Sequence, residues 1–151
     1  MIERITDKAM KMRIARQILE ALPEWFEVEE SREKYIAGSG DRIFLAAKEG
    51  ENYAGFLCLK ETGKATIELA VMGVLKQYHR NGLGRALVEE AKRTAKEEGY
   101  SFMQVKTVQM GRYEDYDRTN LFYLSVGFQE FEVFPTLWDE LNPCQVYVMA
   151  L

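Results

Sequence analysis

The chain has 151 residues and a mass of 17.5 kDa, with 47% hydrophobic and 29% charged residues. That length and balance fit one globular domain and exclude a disordered or fibrous chain. Twenty Lys and Arg against 24 Asp and Glu give a net charge of −4, which speaks against a general nucleic-acid binder, whose affinity leans on clustered cations. Two cysteines, Cys58 and Cys144, are too few for a disulfide scaffold and are expected to be reduced. His79 stands alone without a CxxC pair, so no metal site is expected. The start, residues 1–13, carries no apolar signal region, and the apolar run 69–75 is far short of the ~20 residues that cross a bilayer. A cytoplasmic protein that does not enter a membrane is the expectation.

Ile2 to Thr6 reads as a short strand. Asp7 caps a helix from Lys8 to Leu22 whose apolar face is Met10, Ile14, Ile18 and Leu22, and Pro23 ends it. A second helix is predicted over 24–37 after an aromatic turn, with a break at Gly38-Ser39-Gly40. Arg42–Lys48, Tyr53–Leu59 and Ala65–Val74 form an antiparallel meander. A glycine-rich turn then opens a long helix to Glu98, with Leu83, Leu87, Ala91 and Ala95 inward and Gly99 just past its end. Phe102–Val108 is a strand, Asp117–Ser125 a short helix, Phe128–Phe134 a strand, Pro135–Pro143 a loop and Gln145–Leu151 the last strand. The order β-α-α-β-β-β-α-β-α-β-β predicts an α/β (α+β) fold: a mixed, mostly antiparallel sheet with helices on both faces, in one domain over residues 1–151.

The most informative segment is the junction from strand 68–74 to the helix that starts near residue 83. A glycine-rich turn at a helix start combines exposed N–H groups, the positive end of the helix dipole and backbone that an anion can approach closely. Arg80 and Arg85 add charge at the same place, and the whole suits a pyrophosphate. The sequence lacks both the GxxxxGK[ST] loop of the P-loop nucleotidases and the GxGxxG dinucleotide pattern.

His79-Arg80-Asn81-Gly82-Leu83-Gly84 resembles the coenzyme A loop of the GCN5-related N-acetyltransferase (GNAT) superfamily, [Gln/Arg]-x-x-Gly-x-[Gly/Ala], with His79 in the Gln/Arg position. The element order is similar to that superfamily's over nearly the whole chain. The resemblance implies acetyl transfer from acetyl-CoA to a primary amine by direct attack, without a metal. It implies that His79, Arg80, Asn81, Gly82, Leu83, Gly84 and Arg85 hold the diphosphate. It also implies that the backbone of Met72, Gly73 and Val74 meets the pantetheine arm and offers an N–H to the thioester oxygen. Gly73 suits a bulge there.

Thr119 to Phe128 is similar to the superfamily's helix-then-GlyPhe segment, whose tyrosine four residues before the glycine protonates the coenzyme A thiolate; Tyr123 fills that place. A phenol is a competent donor to a thiolate. Where many relatives carry an asparagine two turns earlier, this chain has Tyr116. Glu68, a carboxylate in the apolar run TIELAVMGV, is the candidate base, acting through a water. The resemblance sets the acceptor beside Pro23–Glu30 and Phe134–Cys144, which both mix aromatic rings with carboxylates and so suit a small or lysine-like ammonium group. Trp138 also fits a homodimer interface. The alternative to the enzyme is a module of the same fold that holds an acyl-CoA as ligand or signal without turnover.

Overall fold

The computed structural model describes residues 1–151. The chain folds in the order β1 (Ile2–Ile5), α1 (Lys8–Glu20), α2 (Pro23–Phe26), α3 (Glu29–Ser39), β2 (Ile43–Glu49), β3 (Asn52–Glu61) and β4 (Thr66–Val74). After a 3₁₀ turn at Lys76–Tyr78 come α4 (Leu83–Glu97), β5 (Phe102–Val108), α5 (Glu114–Ser125), β6 (Gln129–Asp139) and β7 (Asn142–Ala150). The seven strands form one sheet in the order β1-β2-β3-β4-β5-β7-β6. β4 and β5 pair in parallel, whereas β1–β2, β2–β3, β5–β7 and β6–β7 are antiparallel. This is the mixed, mostly antiparallel α/β fold that the element order predicts. Two compact units are distinguishable: Met1–Lys60 with Ala70–Thr94, and Glu61–Leu69 with Ala95–Leu151.

In the first unit the side chain of Asp7 accepts the Met10 N–H at 2.8 Å and starts α1. The stripe Ile14, Ile18 and Leu22 then packs, with Ile36 of α3, on Phe44 and Phe56, whose stacked rings lie 5.1 Å apart. Pro23 does not merely stop α1: its fixed φ suits a first helical position, and it opens α2. The predicted helix over 24–37 is therefore two helices. The break expected at 38–40 falls later, because Gly38 and Ser39 stay helical, the Ser39 hydroxyl donating back to the Ile36 carbonyl at 2.7 Å. The inward face of α4 is the expected one, with Leu83, Leu87 and Ala91 buried and Val88 beside them.

In the second unit β5 pairs with β7 along its whole length, from Phe102↔Ala150 to Val108↔Cys144. Met103, Val105 and Tyr147 are buried on one face, together with Tyr123 and Phe128. The loop expected at Pro135–Pro143 is strand instead. β6 is the edge strand, where the missing N–H of Pro135 costs no ladder bond. The connection shrinks to Glu140-Leu141, and Asp139 Oδ1 accepts the Leu141 and Asn142 N–H groups at 2.9 Å each. Cys144 accordingly lies in a strand. Both cysteines are buried free thiols, and burial pushes Cys58 up to about 12 and Cys144 upward as well. No helix of the chain is long and apolar enough to cross a membrane.

Candidate active site

In the first unit β4 delivers the chain into the glycine-rich turn. The Leu75 N–H donates to the Ala54 carbonyl at 2.8 Å, and the 3₁₀ turn then swings the backbone outward. Arg80 adopts φ +67° and Gly82 φ +80°. The His79 and Asn81 N–H groups donate within the turn, to the Lys76 and Tyr78 carbonyls, and the positive φ values swing the backbone that follows toward the start of the next helix. Helix α4 begins here, with the Ala86 N–H donating to the Gly82 carbonyl at 3.0 Å. Leu83, Gly84 and Arg85 therefore supply first-turn N–H groups, which have no acceptor within their own helix. The space a Cβ would take on Gly82 is open, so an anion can approach the backbone there. Arg80 and Arg85 are exposed beside it.

His79 has a defined role. Its Nε2–H donates to the Val74 carbonyl at 2.6 Å, and its ring meets Trp25 edge-on with centroids 6.0 Å apart. Glu24 forms an ion pair with Lys76. The side chain at the family's Gln/Arg position thus pins the turn to the end of β4. Trp25 and Glu24, read in the sequence as acceptor-side groups, hold α2 against this turn.

Along β4 burial alternates: Ile67, Leu69, Val71 and Gly73 are buried, while Thr66, Glu68, Ala70, Met72 and Val74 are half-buried. Gly73 is glycine because α1 lies on it. A Cβ there would sit 3.0 Å from Leu22 Cδ1 and 3.1 Å from Ile18 Cγ2.

In the second unit the β4–β5 register sets Glu68 opposite Gln104. Lys106, two residues on along β5, reaches back so that its Nζ donates to Glu68 Oε1 at 3.0 Å. The side chains of Lys106 and Glu68 are 29% and 14% exposed, so the pair is partly desolvated yet reachable. Tyr123 lies on α5 and is 7% exposed. It packs against Phe122, Phe128 and Tyr147 at centroid distances of 5.7, 5.6 and 6.1 Å. Asn120, one turn earlier and fully buried, fastens this helix. Its Nδ2 donates to the Val108 and Tyr116 carbonyls at 2.8 and 2.7 Å, and its Oδ1 accepts the Tyr147 hydroxyl at 2.5 Å.

Sequence reasoning passed over Lys106, and it noted Asn120 one turn from Tyr116 without giving it a role. The signal for Lys106 was present: in FMQVKTV the polar Gln104 and Lys106 alternate with apolar residues, the period of a strand with one polar face. The weight of Asn120 shows only in the fold, where it is fully buried and its polar atoms need partners. No group of three or more His, Cys, Asp or Glu side chains is gathered as a metal site would require.

The seven-strand order β1-β2-β3-β4-β5-β7-β6, with one parallel pair between β4 and β5, places the chain among mixed α/β folds. The sequence model of the acetyltransferase (GNAT) family matches residues 11–128, and the chain belongs to that family. Among solved structures it is similar to a protein from Desulfovibrio desulfuricans assigned to the GNAT family, with 19% identity, 99% of this chain and 98% of that chain covered, and a TM-score of 0.83. A GNAT family acetyltransferase from Elizabethkingia anophelis with acetyl-CoA bound aligns with 16% identity, coverage of 100% and 97%, and a TM-score of 0.76. The ribosomal-protein-S18-alanine N-acetyltransferase of Escherichia coli aligns with 17% identity, coverage of 99% and 94%, and a TM-score of 0.75. No curated protein sequence matches the chain.

Proposed function

We propose that residues 1–151 act as one acetyl-CoA-dependent N-acetyltransferase domain working on a primary amine in the cytoplasm. The observation that carries this reading is the turn at 79–85. Two left-handed residues, the start of α4 and open space in front of Gly82 fit a diphosphate, and the family is one of acetyltransferases. Acetyl-CoA, when bound, supplies an activated acetyl carbonyl and a thiolate leaving group. The backbone of Met72, Gly73 and Val74 orients the pantetheine arm and offers an N–H to the carbonyl oxygen, a contribution typically worth about 10²–10³ in rate. The acceptor nitrogen forms its bond to the carbonyl carbon as the carbon–sulfur bond breaks, and the electron pair leaves on sulfur. Tyr123 returns a proton to that sulfur, and Glu68 takes the amine's proton through a water.

Calorimetry with acetyl-CoA, followed by a panel of amines and peptides read by released thiol, tests the reading. Heat of binding and amine-dependent thiol release are expected; a flat titration overturns it. Thiol release that no amine accelerates, with binding intact, favours the non-catalytic acyl-CoA-holding module. The exposed Leu137, Trp138 and Leu141 at the tip of β6–β7 suit a second copy of the chain, and sedimentation velocity across a concentration series tests that.

A further inference from the structure

Glu68 is not a lone carboxylate awaiting an amine. Lys106 already occupies it, at 3.0 Å and partly out of water. A simple cationic amine that docked on Glu68 would set two cations on one carboxylate and deprive Lys106 of its partner, and an unpaired charge in a partly desolvated place is costly. An acceptor carrying its own carboxylate escapes this penalty. Its ammonium takes the place of Lys106 at Glu68, with the proton-carrying water between them, and its carboxylate takes Lys106, so one ion pair becomes two and every charge stays compensated.

The surroundings say what the rest of such a molecule looks like. By strand register Gln104, opposite Glu68, and Val146, opposite Lys106, share the sheet face that carries the pair. Beside them on that face lies a groove of about 520 Å³ whose lining includes Phe102, Gln104, Phe131, Val146 and Val148. Mainly apolar walls, with the amides of Gln104 and Gln129 and the Thr66 hydroxyl and no charged group, accept a hydrocarbon or aromatic side chain and disfavour a polycation.

We propose that the acceptor of this enzyme is an amino acid with an apolar side chain: Glu68 receives its amine, Lys106 its carboxylate, and the groove its side chain. The inference rests on the N-acetyltransferase reading and names the acceptor class of the same site. Lys106 is then a specificity-determining residue.

The test compares leucine and phenylalanine with leucinamide and phenylalaninamide, which match them in size but lack the negative charge. Steady-state rates are read with acetyl-CoA for wild type, Lys106→Arg and Lys106→Met. Wild type is expected to favour each acid over its amide at least tenfold in kcat/KM, chiefly through KM, although the amide's amine loses its proton more readily. Lys106→Arg keeps the preference, and Lys106→Met brings the ratio near one. An amide used as well as its acid by wild type overturns the proposal, as does a ratio that Lys106→Met leaves unchanged. The wild-type comparison decides alone if the Met variant does not fold. Acetyl-CoA binding with turnover confined to carboxylate-free amines defeats this inference and leaves the transferase reading standing. No binding heat and no turnover on any amine defeats the transferase reading itself.

Discussion

Tyr123, the proposed proton donor, and Asn120 lie within one turn of α5. Tyr123 sits in an aromatic nest on α5, and Asn120 ties that helix to β5 through the Val108 carbonyl and to β7 through the Tyr147 hydroxyl. If Tyr123 is the proton donor, Tyr123→Phe keeps the packing and the acetyl-CoA affinity but lowers turnover by about 10²-fold. Parallel calorimetry and initial rates check it, and an undiminished rate removes the acid role. Asn120→Leu takes the side-chain partner from the Val108 carbonyl and the Tyr147 hydroxyl in the interior. It is expected to lower unfolding stability by at least about 2 kcal/mol in a urea titration, and by less in a Tyr147→Phe background. Arg80 holds φ +67°, a conformation that glycine adopts without penalty. Arg80→Gly is expected to leave the melting midpoint equal or higher while weakening acetyl-CoA binding, because it relieves strain and deletes a cation at once. Strain at a ligand turn is invisible in sequence: nothing in HRNGLG marks the arginine, rather than Asn81, as the left-handed residue.

At the scale of elements, the long periodic pieces were legible. The stripe of α1, the four-residue steps of α4 and the alternation of β4 each fix one structure by burying one face. Misreadings fell where Pro and Gly were taken as punctuation. Pro23 starts a helix, Gly38 continues one, and Pro135 lies within an edge strand, because position in the sheet or helix decides whether a missing N–H matters. At Gly73 the helix α1 approaches closely. Gly73→Ala must push Leu22 and Ile18 aside and is expected to cost about 1–3 kcal/mol by denaturant unfolding. Helices α1 and α3 are clamped by Arg16, whose guanidinium donates to both Glu33 oxygens at 2.8 and 2.7 Å and to Glu20 at 3.1 Å. That hydrogen bonding holds the Glu33 carboxyl below its ordinary value of 4.5. A depressed carboxylate contributes stability above the ordinary value and loses it as pH falls through the native one. The melting difference between wild type and Glu33→Gln is thus expected to be present at neutral pH and to vanish in acid.

For the whole molecule, the family and fold were readable because one motif and one element order agree, each at a different level. The turn at 79–85, Tyr123 and Glu68 could be nominated from the sequence because backbone chemistry or an odd residue type stands out locally. The Lys106 partnership was not, since it joins residues 38 apart in sequence through a parallel pairing that no local pattern reveals. Ligand linkage gives the global check. Acetyl-CoA at about a hundredfold over its Kd is expected to add about 2.7 kcal/mol, a rise of roughly 5–10 °C in the midpoint. ATP at the same concentration should give no comparable rise, and equal protection by ATP would recast the turn as a nucleotide site.

The two inward-facing sulfurs make the native chain a quiet background for thiol chemistry. Maleimide reaches Cys58 or Cys144 only when a strand opens, since burial both hides each sulfur and disfavours its reactive anion. Mass-resolved uptake of the reagent over time is therefore a clock for opening, and a carrier that grips residues 79–85 should slow it.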